Sequence, residues 1–435
     1  MSVLFIAPSQ FSIGELHNAV TLAKQLEEGG IKTFFLTSQN HINYVLNANM
    51  KAKALPRKTL QSHIVKDTAE TIKAKAIIIA DYHNLDIESP LIDLDKILEL
   101  NIPVATIDSL SFGPNEKILK NQLFAHSSKK KAAQKQQNIV RSVPNQMKII
   151  RTCPVNNPNL RDERIFPVSL YPQDLKINKQ VREKTRRKYQ CLYNEDKLIM
   201  LSKSAWANLL VKMKLMETGS HMKSTYNYEF FIQELLTEYL SVKAIKSKIV
   251  IVGVSPDNNF IPINLNEKVT FIPLPFLDLE DYDDLLLSCD LFVTDNITSA
   301  TMAKSLVGSV PVLSLINTKV FLDEQKRPVL PSSWKKNNLL KIMDKWLKVL
   351  PDGIYPFITF PNGWINELKD LFDKNPILEV LETVEIFDIK EAGLKIHNLL
   401  YCEKTKHEFI EKQEVYVNLI KNTPNAKDML YFIQK

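Results

Sequence analysis

The chain opens on a continuous apolar run at residues 2–7 (SVLFIA), and residues 14–28 then place apolar side chains at Leu16, Ala19, Val20, Leu22, Ala23 and Leu26. A short unbroken run suits a strand buried on both faces, and the second spacing marks one face of a helix. Gly29 and Gly30 end that helix, and residues 31–37 (IKTFFLT) supply another strand. The three together predict a strand–helix–strand unit of the parallel kind, with a right-handed crossover.

The same alternation continues. A helix is expected over 66–75, a strand over 76–80 ending at Asp81-Tyr82-His83, and a helix near 91–100. Strands follow at Val104–Ile107, ending at Asp108, and at 148–153. Residues 112–140 are polar and lysine-rich and read as a loop or helix. Pro154, Pro158, Pro167 and Pro172 then punctuate charged sequence as far as about residue 190.

A second series begins with strand 197–201 (KLIML), followed by Lys203 and Ser204. It runs through a helix at 228–245, strands 248–253 and 268–272, and a helix at 280–288. Strand Leu291–Thr294, a helix at 299–307 and strand Val310–Leu315 complete it, and 388–435 reads as two helices. Two such series predict two α/β parallel-sheet domains facing a cleft. The expected divisions are an acceptor domain at 1–165, a linker at 166–195, a donor domain at 196–385, and helices at 386–435 that cross back to the first domain.

Composition narrows this only in places. The chain has 435 residues, 45% hydrophobic and 24% charged, which excludes a largely disordered or collagen-like protein. Glycine is scarce: 10 residues, about 2% against the usual ~7%. A phosphate-binding loop must therefore work without a glycine-rich stretch. The net charge is +7. Lysine is spread along the chain, with clusters at Lys129–Lys131 and at Arg182, Lys184, Arg186, Arg187 and Lys188. These read as solvated surface or as attraction for an anionic substrate. Aromatic residues do not interleave with them, so no nucleic acid partner is expected.

Cys153, Cys191, Cys289 and Cys402 form no CxxC and no half of a zinc site, and they read as reduced thiols of a cytoplasmic protein. No basic leader opens the chain, and no apolar run reaches the ~20 residues of a membrane helix. There is no Walker lysine loop, no GxGxxG and no HExxH. Asp93-Leu94-Asp95 has the form of a DxD metal motif but falls at an expected helix start, so metal independence is expected. Gly219-Ser220-His221-Met222 matches a tetrapeptide that expression vectors leave behind, and reads either as native loop sequence or as such a remnant.

Two stretches carry a family resemblance. Gly14-Glu15-Leu16-His17-Asn18, followed by AVTLAKQLEEGGIKTFFLTS, resembles the start of the acceptor domain of GT-B glycosyltransferases, with Glu15 where many have a basic histidine. Phe271–Leu315 resembles their donor-site block: a strand, a proline turn, a short helix ending in Ser-Cys-Asp-Leu, a strand, and a polar turn opening a helix. That block is also similar to the one in bacterial protein-arginine rhamnosyltransferases, which use an acidic residue after the first strand. The resemblance implies a GT-B fold of two Rossmann-like domains. It also implies transfer from a nucleotide-diphosphate sugar, UDP- or dTDP-linked, with no further cofactor.

Such transfer needs a base for the acceptor and positive potential for the departing diphosphate. Glu15 leads as base and His17 follows, with Asp108 a third catalytic candidate. Asp81 and His83, at carboxyl ends of strands, are acceptor-side candidates. The turn Asp295, Asn296, Thr298, Ser299, Thr301 opens a helix whose free amides suit phosphates. Lys203 and Ser204 are expected to neutralise the diphosphate, and Ile272 and Phe276 to flank the base of the nucleotide. An inverting transferase is the reading. A nucleotide-sugar 2-epimerase and a non-catalytic GT-B-like binding or scaffold protein are its rivals.

Overall fold

A computed structural model describes residues 1–9, 13–55, 62–80, 82–83, 93–118, 139–171, 175–203, 228–254, 264–275, 277–316, 324 and 368–435. The chain divides into two compact units. The first comprises Met1–Gln173, Asn366–Leu378 and Val417–Lys435; the second comprises Asp174–Ile365 and Glu379–Tyr416.

The first unit is built on β1 (Ser2–Ala7), β2 (Lys32–Ser38), β3 (Ala52–Leu55), β4 (Ala74–Ile79), β5 (Val104–Ile107), β8 (Met147–Cys153) and β9 (Ile165–Ser169). They lie in the order β3-β2-β1-β4-β5-β8-β9, and every pairing is parallel. The interior strands are mostly buried and mostly apolar, as a sheet covered on both faces demands. Its helices are α1 (Gly14–Glu28), α2 (Ile42–Asn47), α3 (Ser62–Thr71) and α4 (Leu94–Leu98). A small antiparallel pair, β6 (Lys117–Ile118) with β7 (Ile139–Val140), replaces part of the expected polar loop; residues 119–138 lie outside the described ones.

The second unit carries β10 (Lys197–Ser202), β11 (Ile249–Val254), β12 (Asn264–Asn266), β13 (Val269–Leu274), β14 (Leu291–Thr294), β15 (Val312–Ile316) and β16 (Glu382–Glu385). Their order is β12-β13-β11-β10-β14-β15-β16, parallel except for the edge pair β12–β13. The helices are α5 (Lys179–Lys188), α6 (Tyr228–Ser241), α7 (Leu279–Ser288), α8 (Ala300–Val307) and α10 (Ile389–Tyr401); the short α9 (Lys369–Phe372) belongs to the first unit.

Three stretches differ from the sequence reading, each for a physical reason. Residues 165–169, placed in a proline-rich linker, form β9. Pro167 is tolerated because β9 is an edge strand. Residues 179–188, placed in the same linker, form α5, capped by Asn178 through Gln180 N at 2.8 Å. The helix expected over 66–75 stops at Thr71, and Lys73 turns the chain with φ 53° into β4.

The tail holds three helices rather than two. After α10, α11 (Glu403–Ile420) carries the chain from the second unit into the first, and α12 (Ala426–Gln434) follows Pro424. Asn425 and Asp428 cap α12 reciprocally. Within the first unit α12 packs on α1 and β9: Ala426 N donates to Gln25 Oε1 at 3.2 Å, and Phe166 stacks on Phe432 at 4.7 Å, while Gln25 Nε2 ties α1 to the carbonyls of Ser169 and Leu170 at 2.9 Å. Among the described residues no helix is long and apolar enough to cross a membrane.

Candidate functional site

In a parallel α/β sheet, side chains with a chemical role collect where strands end, and most often where the strand order reverses. The first sheet reverses between β1 and β4, and the second between β10 and β14.

In the first unit, the turn after β1 leads to α1. Glu15 lies in the first turn of α1 and is half-buried. His17, two residues on, is also half-buried, and its Nδ1 lies 2.8 Å from the Tyr44 hydroxyl on α2. The helix spacing sends Glu15 and His17 to different faces, and α2 supplies the partner that holds the imidazole. One residue further, Asn18 Nδ2 donates to Ser109 Oγ at 3.2 Å and Thr152 Oγ1 at 3.4 Å, tying α1 to the ends of β5 and β8.

Asp81 lies outside the described residues. His83 is 6% exposed and meets the rings of Phe112 and Tyr82 edge-on, at 5.8 and 5.5 Å. Asp108 is 1% exposed. It accepts from Phe112 N (2.9 Å) and Gly113 N (3.0 Å) and faces Arg151 Nε at 3.6 Å, while Arg151 Nη2 donates to the Gly113 carbonyl at 2.8 Å. This geometry makes Asp108 the organiser of the loop after β5. Arg151 was missed, although an arginine inside the apolar strand MKIIRTC is itself a sign that a buried carboxylate waits nearby.

In the second unit, β10 and β14 are neighbours with Ser202 opposite Thr294. Lys203 and Asp295, which follow them, therefore emerge side by side. Lys203 is half-buried, and Asp295 is 2% exposed. Asn296 Oδ1 accepts from Thr298 N (3.0 Å) and Thr298 Oγ1 (2.8 Å). Ser299 is the N-cap of α8, its Oγ accepting from Thr301 N (3.2 Å) and Met302 N (3.4 Å). A turn without glycine thus delivers the helix start through an Asx bond and a serine cap.

Helix α7 fixes that start from outside. Tyr282 Oη donates to Thr301 Oγ1 at 3.3 Å and also bonds to Ser202, while Asp283 pairs with the Lys304 ammonium. Burial pushes the Tyr282 phenol up, against the opposing pull of those two hydroxyls, so it stays neutral. Tyr282 was missed because the contact joins three elements distant in sequence. Ile272 is half-buried on β13, separated from β10 by β11. Ser204 and Phe276 lie outside the described residues, as do Lys129–Lys131 and the tetrapeptide at 219–222.

Three members of the second basic cluster are engaged internally. Arg182 and Arg186 pair with Asp290 at 3.4 and 2.8 Å, and Lys188 pairs with Asp281 at 2.9 Å. Asp93 caps α4, its Oδ1 accepting from Asp95 N at 3.2 Å. Among the described residues no His, Cys, Asp or Glu group is placed to hold a metal ion.

Comparison with known proteins returns one family and one fold. The model of a family described as "Family of unknown function (DUF6365)" matches residues 22–435. No curated protein matches. Among solved structures, the chain is similar to Anabaena Alr3699/HepE in complex with UDP-glucose (TM-score 0.53, 11% identity, covering 100% of this chain and 98% of that one). It is similar to the spinosyn forosaminyltransferase SpnP (0.52, 11%, 99% and 97%). A glycosyltransferase from Rickettsia africae ESF-5 gives 0.51 and 11%, over 99% and 96%. At such identity the likeness establishes the fold, which is GT-B.

Proposed function

The chain belongs to the DUF6365 family, and we propose that it is a glycosyltransferase that moves a sugar from a nucleotide diphosphate to an acceptor hydroxyl or similar nucleophile. The observation that carries the reading is the placement of both candidate groups at sheet switch points. Lys203 and the Asp295–Thr301 turn stand at that of the second sheet, and Glu15 follows β1 at that of the first. The full-length likeness to a structure holding UDP-glucose supports a UDP-linked donor, with a dTDP-linked one as the alternative.

The second unit takes the nucleotide. Its diphosphate lies against the amino end of α8, where backbone amides and the helix dipole favour negative charge. Lys203 adds a full positive charge, so the leaving group is stabilised without a metal ion. The first unit takes the acceptor. The acceptor oxygen attacks the anomeric carbon and the bond to phosphate breaks, with its electron pair leaving on the diphosphate. The acceptor proton passes to Glu15, and the anomeric centre inverts. His17, held by Tyr44, orients the acceptor. Asp108 and His83 shape the wall behind it.

Calorimetric titration with UDP, dTDP and GDP tests the donor half. At least one should bind, and no binding by any of the three would remove the reading. Glu15→Gln tests the other half: transfer should fall by about 10²–10⁴-fold with nucleotide affinity unchanged. Full transfer by that variant would clear Glu15 of the role.

A further inference from the structure

Two helices begin at the carboxyl edge of the second sheet, and their first turns carry different chemistry. α7, which follows β13, opens with Asp278 as its cap and with Glu280 and Asp281 in its first turn. α8, which follows β14, has no acidic residue in its first turn. An anion at this edge is therefore repelled by the start of α7 and accepted by that of α8. What α7 sends toward α8 is a phenol: Tyr282 Oη lies 3.3 Å from Thr301 Oγ1, in the first turn of α8.

The Ser202 hydroxyl, at the end of β10 and next to Lys203, acts on the same phenol oxygen. Ser202, Tyr282 and Thr301 are all half-buried. Asp283 pairs with Lys304 one turn further along α8, which fixes the two helices against each other. Among the described residues Thr301 Oγ1 has no other hydrogen-bond partner. Each of these hydroxyls has one proton to give, so a neutral phenol between two of them donates to one and accepts from the other. If it donates to Thr301, the Thr301 proton stays available to an anion on the α8 amides. If it donates to Ser202, Thr301 spends its proton on the phenol. A bound anion selects the first arrangement, because its charge turns the three O–H dipoles toward itself.

We propose, on the glycosyl-transfer reading above, that Tyr282 is a positioning residue for the nucleotide diphosphate. It accepts a hydrogen bond from Ser202 and donates one to Thr301, so that the Thr301 hydroxyl donates to a phosphate oxygen. No proton changes owner; only the directions of the hydroxyls are set. The relay runs from the strand that precedes Lys203 to the start of α8, and it adds an oriented side-chain donor to the backbone amides there. The 3.3 Å between Tyr282 and Thr301 is long for two hydroxyls, and the charge of the ligand draws it in.

Calorimetric titration of the full-length protein with UDP, dTDP and GDP tests this when repeated on Tyr282→Phe, Thr301→Val and the double variant. Tyr282→Phe keeps the ring, and Thr301→Val keeps the branched shape. Thr301→Val should bind the nucleotide about 10- to 100-fold more weakly, as the loss of a hydrogen bond to a charged group, and Tyr282→Phe about three- to tenfold. In the Thr301→Val background Tyr282→Phe should add nothing, because the hydroxyl it orients is gone. A phenol that only holds the helices together would weaken binding by the same factor in both backgrounds, and such additive losses overturn the proposal. So does tighter binding by Tyr282→Phe, which would mean that the phenol had been holding the Thr301 proton away from the ligand. Binding by wild type that Tyr282→Phe leaves unchanged removes the relay alone. No binding of any of the three nucleotides by wild type removes the glycosyl-transfer reading and the relay with it.

Discussion

The carboxyl edges of the two sheets are finished in different ways. In the first unit the edge is held by side chains reaching across strands: Asp108 with Arg151, Asn18 with Ser109 and Thr152, and Ser111 Oγ donating to Asn156 Oδ1 at 2.5 Å. In the second unit the turn bonds within itself, through Asn296 and Ser299 to amides two and three residues on, and α7 braces it through Tyr282 and Asp283. On the proposed function, a fixed anion competes with the Ser299 hydroxyl for the amides of Thr301 and Met302. On the same proposed function, the first unit would meet the acceptor with side chains, Glu15 and His17.

Removal of one member should therefore cost far more in the first unit. Asp108→Ala leaves the buried Arg151 without its carboxylate and two amides without an acceptor. A loss of about 3–5 kcal/mol is expected from urea unfolding. Asp108→Asn, which keeps an acceptor oxygen but no charge, should fall between that variant and wild type. A cost under about 1 kcal/mol for Asp108→Ala would show that the network does not hold this edge.

The second unit should respond to Ser299→Ala by only about 1 kcal/mol, the usual worth of a serine cap. The comparison sharpens with UDP present. A phosphate resting on the amides of Thr301 and Met302 replaces the missing cap, so the stability loss should shrink at saturating UDP. By the same cycle the variant should bind UDP up to about fivefold tighter. Weaker binding would assign the contact to the hydroxyl and sink the role given to the amides.

The same contrast explains what was legible in the sequence. The second turn could be read because its grammar is local: Asn296, Thr298 and Ser299 bond within a few residues and precede a helical run. The strands of both sheets could be read because buried parallel strands are continuous apolar runs. The first edge could not be read, since Asn18 meets Ser109 and Thr152 across 91 and 134 residues. The linker was misjudged because proline count conceals position: Pro167 sits on an edge strand, where its missing N–H is harmless. The basic cluster of α5 was visible, but the carboxylates that balance it, Asp281 and Asp290, come from α7 and the turn after it.

One histidine in each unit carries the contrast into solution. His41 donates from Nδ1 to the Ser9 carbonyl at 3.1 Å, and burial lowers its pKa despite that bond. His397 is lowered by burial together with Lys243 and Lys246. In both, the unfolded chain titrates near the ordinary value of 6.5 and the folded chain below it. As pH falls through 6.5 the unfolded state takes up protons first, so stability declines until the folded pKa is passed. His41→Gln and His397→Gln should each flatten the decline between neutral pH and about pH 5, measured by urea unfolding. Salt should separate them. Screening weakens the lysine contribution at His397 and leaves desolvation at His41 untouched. At high ionic strength the difference between wild type and His397→Gln should narrow, while that between wild type and His41→Gln persists. Equal narrowing for both variants would mean that charge contributes at His41 too.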